Sequence, residues 1–432
     1  MRPSTLLLLL ASAMVALTAI VALAGSESTR LIVMLWAALG AAGLLDLVLT
    51  PGKRSLGITA EFPEQMFVGS SALAPVTIQT RRLPPALEMQ LDTPEGLVSK
   101  SEGVHQAAEG AVGDLALSCK KRGTFELTRL WFRWPSRLGL FEVIAKKTLE
   151  ATVKGIPNIQ PILSGEITSQ VNAELFGIKT TAMRGEGSDF HQLREFTAGM
   201  DTRMIDWKRS ARHNSLVARE THVEQNHQII VCLDNGYLMR EEIAGLPKID
   251  HAINAGLAVT WAAGIGGDQV GFYTFDSRPQ RYLPPQPGRK AFNRIRAEAA
   301  ELDYSEVESN HTLAMAHLNG QLNRRSLIVV FSDFVDSITA ELLVENISVL
   351  SRHHLLIFVA LRDPALEAFR SPEDLSLQNI AKAVSAAQIT RERALVFDTL
   401  QRLGVVCLDV EPNKLSAELI STYLDIKAKE MI

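Results

Sequence analysis

The sequence predicts a doubly wound α/β domain, preceded by a transmembrane helical hairpin and an antiparallel β-sandwich. Three observations lead there. Two long apolar runs fill the amino-terminal segment, and short alternating runs broken by Gly, Pro and Asn follow them. From Gln228 onward, continuous Val, Ile and Leu runs alternate with longer helical patterns.

The apolar runs are Leu6 to Ala24 and Leu31 to Leu49. Each is about 19 residues, long enough to cross a bilayer as a helix. Only the polar turn Gly25-Ser26-Glu27-Ser28-Thr29-Arg30 separates them. A cleaved signal peptide does not account for the second run, so a hairpin is expected. Arg2 and the terminal amine precede the first span, and Lys53 and Arg54 follow the second. Positive flanks at both ends place both in the cytoplasm, with everything after Pro51. Localisation in the cell (inner) membrane, multi-pass with soluble domains facing the cytoplasm, follows. Asp46, in the last turn or so of the second helix, is expected at the interface near Lys53 and Arg54, or as a polar contact to another membrane helix.

Between residues 55 and about 160 the runs GITAEF, APVTIQT, ALEMQLDT, FELTRLWFRW and FEVIAKKTLEATV read as strands. Their length and spacing fit a small antiparallel sandwich. The aromatic group Trp131, Phe132, Trp134 and Phe141 is expected in its core and edge. After Gln228, strands QIIVCLD, QVGFYTFD, SLIVVFSD, HLLIFVAL and GVVCLDV alternate with helices. Strands continuous in apolar residues imply a parallel sheet covered on both faces. The site of such a sheet lies beyond the carboxyl ends of its strands, near the switch point. Two strands end there in an acid, Asp234 and Asp333.

The chain of 432 residues balances 44 Lys and Arg against 48 Asp and Glu, a net charge of -4, so nothing in it asks for nucleic acid as partner. Cys119, Cys232 and Cys407 share no metal-type spacing; the last two sit in strand-like runs as small buried thiols. Of the ten histidines, among them His191, His213, His222, His227, His353 and His354, none shows a metal-ligand spacing such as H-x-x-x-H, and no G-x-S-x-G elbow occurs. Gly185-Glu186-Gly187 is too short to cradle a phosphate and lacks a Walker-type Lys.

The segment from Arg184 to Glu220 stands apart: charges of both signs are threaded with Phe190, Leu193, Phe196, Ile205 and Trp207. Its run R-G-E-G-S-D-F-H-Q-L-R-E-F-T-A-G-M-D-T-R-M-I-D-W-K-R-S-A-R resembles the signature of the domain-of-unknown-function-58 family, as do K-R-G-T-F-E-L at 121 and S-R-L-G-L-F-E at 136. The resemblance extends over nearly the whole chain. It implies a von Willebrand A-like α/β domain over 227–432, a charged signature segment packed on it over 161–226, a β-sandwich over 55–160 and the hairpin over 1–54. It also implies cooperation with a MoxR-like AAA+ ATPase and client proteins, in a non-enzymatic adaptor. The alternative is a divalent-metal-dependent enzyme or hydrolase with its site at the carboxyl edge of the sheet.

The von Willebrand A fold often holds Mg²⁺ through an Asp-x-Ser-x-Ser loop with a later Thr and Asp. Here Asp234-Asn235-Gly236-Tyr237-Leu238 keeps the Asp and loses both serines. Asp234, Thr312 and Asp333 are the matching ligands of a degenerate site for weakly bound Mg²⁺, which wants octahedral oxygen; the two acids can equally cap the turns that follow them. No other cofactor is expected. In the signature, Asp201 is placed to cap a short helix carrying Ile205, Trp207 and Ala211 toward the core. Residues 203 to 219 hold five basic residues against Asp206, leaving a positive face for an acidic partner surface. Arg184, Arg194, Arg203, Asp206, Trp207, Lys208 and Arg212 are the expected partner-binding residues.

Overall fold

Period-two burial builds the first half of the chain and two-sided burial builds the second. A computed structural model describes the chain except for residues 24–28, 51–56, 80–85, 108–109, 182–188, 198–199, 201, 214, 223–226, 335–338, 371–375, 430 and 432. Lys53 and Arg54 lie outside the described residues. The chain divides into two units, Met1–Ile156 and Pro157–Ile432.

In the first unit a two-residue strand β1 (Arg2–Pro3) leads into the apolar helices α1 (Thr5–Leu23) and α2 (Thr29–Leu49). The stretch Arg30–Leu49 is long and apolar enough to cross a membrane, and Thr5–Val21 is a shorter apolar helix. Eight further strands follow: β2 (Gly57–Ala60), β3 (Gln65–Phe67), β4 (Ser71–Gln79), β5 (Glu88–Leu91), β6 (Leu97–Ala107), β7 (Gly110–Cys119), β8 (Gly123–Pro135) and β9 (Phe141–Ile156). One sheet runs β1-β9-β8-β5 with β3 also on β9; the other runs β2-β4-β7-β6. All pairs are antiparallel except β3 with β9. Alternate residues turn inward, as in Ala74, Val76 and Ile78 of β4, or Leu130, Phe132 and Trp134 of β8. Trp131 and Phe141 are only half-buried.

Asp46, in the last turn of α2, finds its partners in the sandwich rather than in another apolar helix. Its carboxylate is fully buried and accepts hydrogen bonds from Ser136 Oγ, Leu138 N (2.8 Å) and Leu140 N (3.2 Å) in the turn between β8 and β9. Three donors offset the desolvation of a charge so close to an apolar helix.

The second unit opens with α3 (Gln160–Leu163) and α4 (Glu166–Thr181), then the signature elements β10 (Asp189–Glu195), α5 (Trp207–His213) and β11 (Val217–His222). The main sheet begins with β12 (Gln228–Asp234), followed by the small hairpin β13 (Glu242–Ile243) and β14 (Leu246–Pro247), and by α6 (Lys248–Ile265). Then come β15 (Gln269–Phe275), β16 (Pro279–Pro287), α7 (Gly288–Ala300), α8 (His311–Gln321), β17 (Leu327–Phe331), α9 (Thr339–Ser351) and β18 (Leu355–Leu361). The chain closes through α10 (Pro364–Arg370), α11 (Leu377–Arg402), β19 (Val406–Val410) and α12 (Leu415–Ala428).

The sheet order is β16-β15-β12-β17-β18-β19, parallel except for the edge strand β16. Both faces are covered: α4, α6, α7 and α12 pack among themselves, while α8, α9 and α11 cover the other side. This is why β12, β17 and β18 are apolar without alternation. Chain order reverses between β12 and β17, which sets the switch-point crevice at their carboxyl ends. At the opposite edge, the fully buried Asp268 accepts from Tyr423 Oη (2.5 Å), Lys427 Nζ (2.7 Å) and His227 N (3.1 Å), tying α12 to the start of β15. Asp268→Asn breaks that buried ion pair, and a loss of about 2–4 kcal/mol is expected as a lower denaturant midpoint at unchanged slope.

Candidate functional site

The crevice is built from strand ends. β12 delivers Asp234, and β17 delivers Ser332 and Asp333 directly after Phe331. α8 starts opposite them; Asn310 caps it by accepting from Leu313 N (3.0 Å), which sets His311 and Thr312 at its first turn. Asp234, Thr312 and Asp333 line one cleft of about 420 Å³, together with Ser309 and His311. The three side chains singled out in the sequence therefore share one wall.

Their oxygens, however, are already engaged. Asp234 Oδ1 accepts from Gly236 N (2.8 Å) and Ser309 Oγ, while Oδ2 accepts from Ser332 Oγ (2.5 Å). His311 Nε2 lies 3.2 Å from Asp234 Oδ2 and 3.1 Å from Ser332 Oγ. Asp234 and Ser332 are 2 % and 1 % exposed. A carboxylate offers about four lone-pair directions, and these partners fill them. Ser309 also shapes the loop after β12. A Cβ on Gly236 would collide with Ser309 Oγ, so Ser309 occupies the space that a side chain at that position would need.

Asp333 is neutralised from two sides. Lys248 Nζ, at the first turn of α6, donates to Oδ2 at 2.6 Å, and Arg393 of α11 donates to Oδ1 at 2.7 Å. Phe334 N also donates to Oδ1 (2.9 Å). Glu241 takes a further bond from Lys248, and Asp409 two from Arg393. Phe334 and Phe397 each hold their ring centroid 5.4 Å from the Arg393 guanidinium carbon. Burial alone would raise the Asp333 carboxyl, but Arg393 and Lys248 outweigh it and keep it below its ordinary value. Burial would lower Lys248 and Arg393; their carboxylate partners outweigh it and raise both.

This arrangement does not fit Mg²⁺. Asp333 faces two fixed cations, Asp234 is filled by donors, and a dication there would meet repulsion before it met a free oxygen. Thr312 is exposed and its Oγ1 accepts from Asn346 Nδ2 (2.9 Å). Among the described residues, no group of three or more His, Cys, Asp or Glu side chains is arranged to hold a metal ion. Nor is a nucleophile poised: Ser332 gives its proton to Asp234 and is shut from solvent. Burial raises the Cys407 thiol to about 12 and lifts Cys232 as well.

Beside the cleft lies a larger one of about 680 Å³, walled by the same Asp333, Lys248 and Arg393 and by Glu242, Arg362, Asp363 and Arg370. Its cations are paired: Lys248, Arg362, Arg370 and Arg393 each hold at least one acid.

The signature segment forms its own small structure. β10 and β11 pair antiparallel, and Ile205 bridges to Ala218. Asp206, 6 % exposed, donates from its amide to Val217 O (2.9 Å) and caps α5 by accepting from Arg209 N (3.2 Å). Ser210 Oγ accepts from Val217 N at 2.9 Å. Asp206 is therefore a structural cap rather than a partner contact, and it takes the capping role expected of Asp201, which lies outside the described residues. Ile205 turns inward as expected, whereas Trp207 is 68 % exposed and Ala211 is exposed too, because a seven-residue helix has room to bury only one side. Lys208, Arg212 and Arg194 are exposed. Arg184 and the side chain of Arg203 lie outside the described residues. The sequence reading missed Lys248, Arg393, Ser309, His311 and Ser332. The adjacency of Ser332 to Asp333 and the polar run Ser309-Asn310-His311-Thr312 before a helix were the available signals.

Asp333→Asn leaves two buried cations short of a partner, and a destabilisation of about 3 kcal/mol is expected from thermal or denaturant unfolding. Because the folded carboxyl titrates below its unfolded value near 3.9, its contribution is complete above that pH and is lost as pH falls through the folded value. The Asn variant should lack this slice of acid sensitivity, which a comparison of the two pH–stability curves measures.

Uncharacterized proteins of Mycobacterium tuberculosis and Mycobacterium bovis are 22% identical to the chain over 242 residues, 56% of it and 71% of their own length. Among solved structures, a conserved hypothetical protein BatB from Bacteroides thetaiotaomicron is 13% identical, with a TM-score of 0.33, and covers 46% of the chain and 99% of its own. An aerotolerance-related membrane protein from Bacteroides fragilis is 10% identical, with a TM-score of 0.32, and covers 48% and 100%. The matching family model is described as protein of unknown function DUF58 and spans residues 192–394, a shorter stretch than the resemblance in the sequence suggested. Residues 192–394, which run from the signature ribbon across the switch-point crevice into α11, are what the chain shares with the DUF58 family.

Proposed function

We propose that the protein is a membrane-anchored, non-enzymatic adaptor whose von Willebrand A-like domain binds other proteins, in cooperation with a MoxR-type AAA+ ATPase in protein assembly or activation. The single observation that carries this reading is the charge closure of the crevice: Asp333 is spent on Lys248 and Arg393, and Asp234 on a ring of hydroxyl and imidazole groups. The two inner carboxylates are thereby committed to the chain's own donors, and Ser332 directs its proton at Asp234, which leaves the rim as the surface for a partner. The sheet order with one antiparallel edge strand supports the von Willebrand A-like assignment. The ATPase partnership comes from the family resemblance.

Anchoring by both helices, with multi-pass topology and the folded units in the cytoplasm, is supported by the apolar spans and by Arg2 at the start of the first. The exposed Trp207, Lys208 and Arg212 on α5 supply the second docking element: an aromatic side chain flanked by cations suits an acidic protein surface with an apolar centre.

Affinity capture from native membranes should recover an ATPase. Lys208→Glu combined with Arg212→Glu should reduce that recovery by about tenfold, the size of a 1.4 kcal/mol loss, without changing the melting temperature. Undiminished capture by the double variant would remove the face from the proposal. Calorimetric titration of Mg²⁺ into the solubilised chain should give no binding heat; a stoichiometric exotherm at micromolar affinity would restore the metal-dependent alternative.

A further inference from the structure

We propose that the turn between β8 and β9, residues 136–140, is itself a lipid-contacting element: it seats at the headgroup level of the bilayer, with Arg137 toward the phosphates and Leu138 in the interface. This rests on the reading of α2 as a membrane span. The argument begins with depth. A 20-residue span such as Arg30–Leu49 matches the roughly 30 Å of hydrocarbon it must cross. Asp46 lies three residues before its end, about 4.5 Å along the axis. Whatever grips the Asp46 carboxylate must therefore reach the boundary of the hydrocarbon.

The turn does grip it, through Ser136 Oγ, Leu138 N and Leu140 N. It also holds the entry of the other helix. Ser4 N donates to Leu140 O (2.9 Å), Ser4 Oγ donates to Gly139 O (2.6 Å), and Ser4 Oγ in turn accepts from Leu7 N (3.2 Å) in the first turn of α1. The pairing of Arg2 with Glu142 and of Pro3 with Phe141 extends the attachment along β9. One tight turn thus fills the mouth between the start of α1 and the end of α2. Gly139, at φ +75, allows the reversal, and its amide closes it on Ser136 O (3.0 Å).

The bonded groups of the turn face the helices; what faces outward is Arg137 and Leu138. Leu138 is 51 % exposed, and Arg137 is exposed and pairs with no acid among the described residues. A lone exposed leucine is ordinary on a soluble surface. Here it sits one residue from a guanidinium, at the level where a bilayer supplies both phosphate and acyl chain, and a lipid surface is the occupant that satisfies both.

The test uses the full-length chain in vesicles of mixed phosphatidylcholine and phosphatidylglycerol, with a bimane fluorophore on single introduced cysteines. Cys407 is replaced by Ser, while the buried Cys119 and Cys232 stay. Labels go to Leu138→Cys, to Leu44→Cys in α2 and to Val98→Cys on the sandwich. Nitroxide lipids should quench position 138 roughly threefold more than position 98, and Asp46→Asn should reduce the difference while position 44 stays quenched. Equal quenching at 138 and 98 with strong quenching at 44 overturns the proposal and leaves the anchor standing. No quenching at 44 removes the anchor, and the proposal with it.

Discussion

One buried carboxylate holds the α/β unit's functional edge in place. Asp333 follows the central strand β17 and receives Lys248 from α6, on one face of the sheet, and Arg393 from α11, on the other. The cluster therefore stitches the two helical layers together across the end of the sheet. Coulomb attraction at such burial is large, but so is the cost of desolvating three charges, and clusters of this kind often contribute little net stability compared with an apolar substitute. What they contribute is register: a carboxylate with two mandatory partners fixes where both helices must start or pass. It also fixes the chemistry, because cations supplied by the chain leave no deficit for a metal ion to fill.

Asp234 shows the same logic with neutral partners. Its donors come from three different segments: the turn after β12, the loop before α8, and the end of β17. Ser309, which occupies the space a side chain at position 236 would need, and Ser332 both point their protons inward at the carboxylate. A hydroxyl that donates to an acid has its proton directed at that acid.

How much of this could be read in advance follows from the range of the interactions. β12, β17 and β18 announce themselves because a strand covered on both faces must be apolar throughout, and an acid at the end of such a run marks the carboxyl edge. Lys248 and Arg393 carry no such mark: they stand 85 and 60 residues from Asp333, and each begins or interrupts an ordinary amphipathic pattern. The strands β6 and β7 escaped because Ser, Gly and polar residues dilute their alternation. Trp207 was misplaced because a large aromatic on a charged helix reads as an anchor, yet Ile205 and Ser210 already fill the inner side of that helix. The partners of Asp46 escaped as well, because they lie some ninety residues further on.

The chemistry that remains on the surface bears on the two proposed classes of function. A hydrolase at this edge would need a base with a free lone pair beside a nucleophile with a free proton. The imidazole of the crevice, His311, faces Asp234 and Ser332 through the same nitrogen, so it cannot take a proton from the serine and pass charge to the acid along a relay. Opening that lock would require breaking Ser332 away from a carboxylate it meets at 2.5 Å, inside a site only 1–2 % exposed. A protein partner asks for none of this. It needs a surface whose shape does not relax on contact, and a crevice whose buried carboxylates, Asp234 and Asp333, are held by fixed donors suits one at little further cost in ordering.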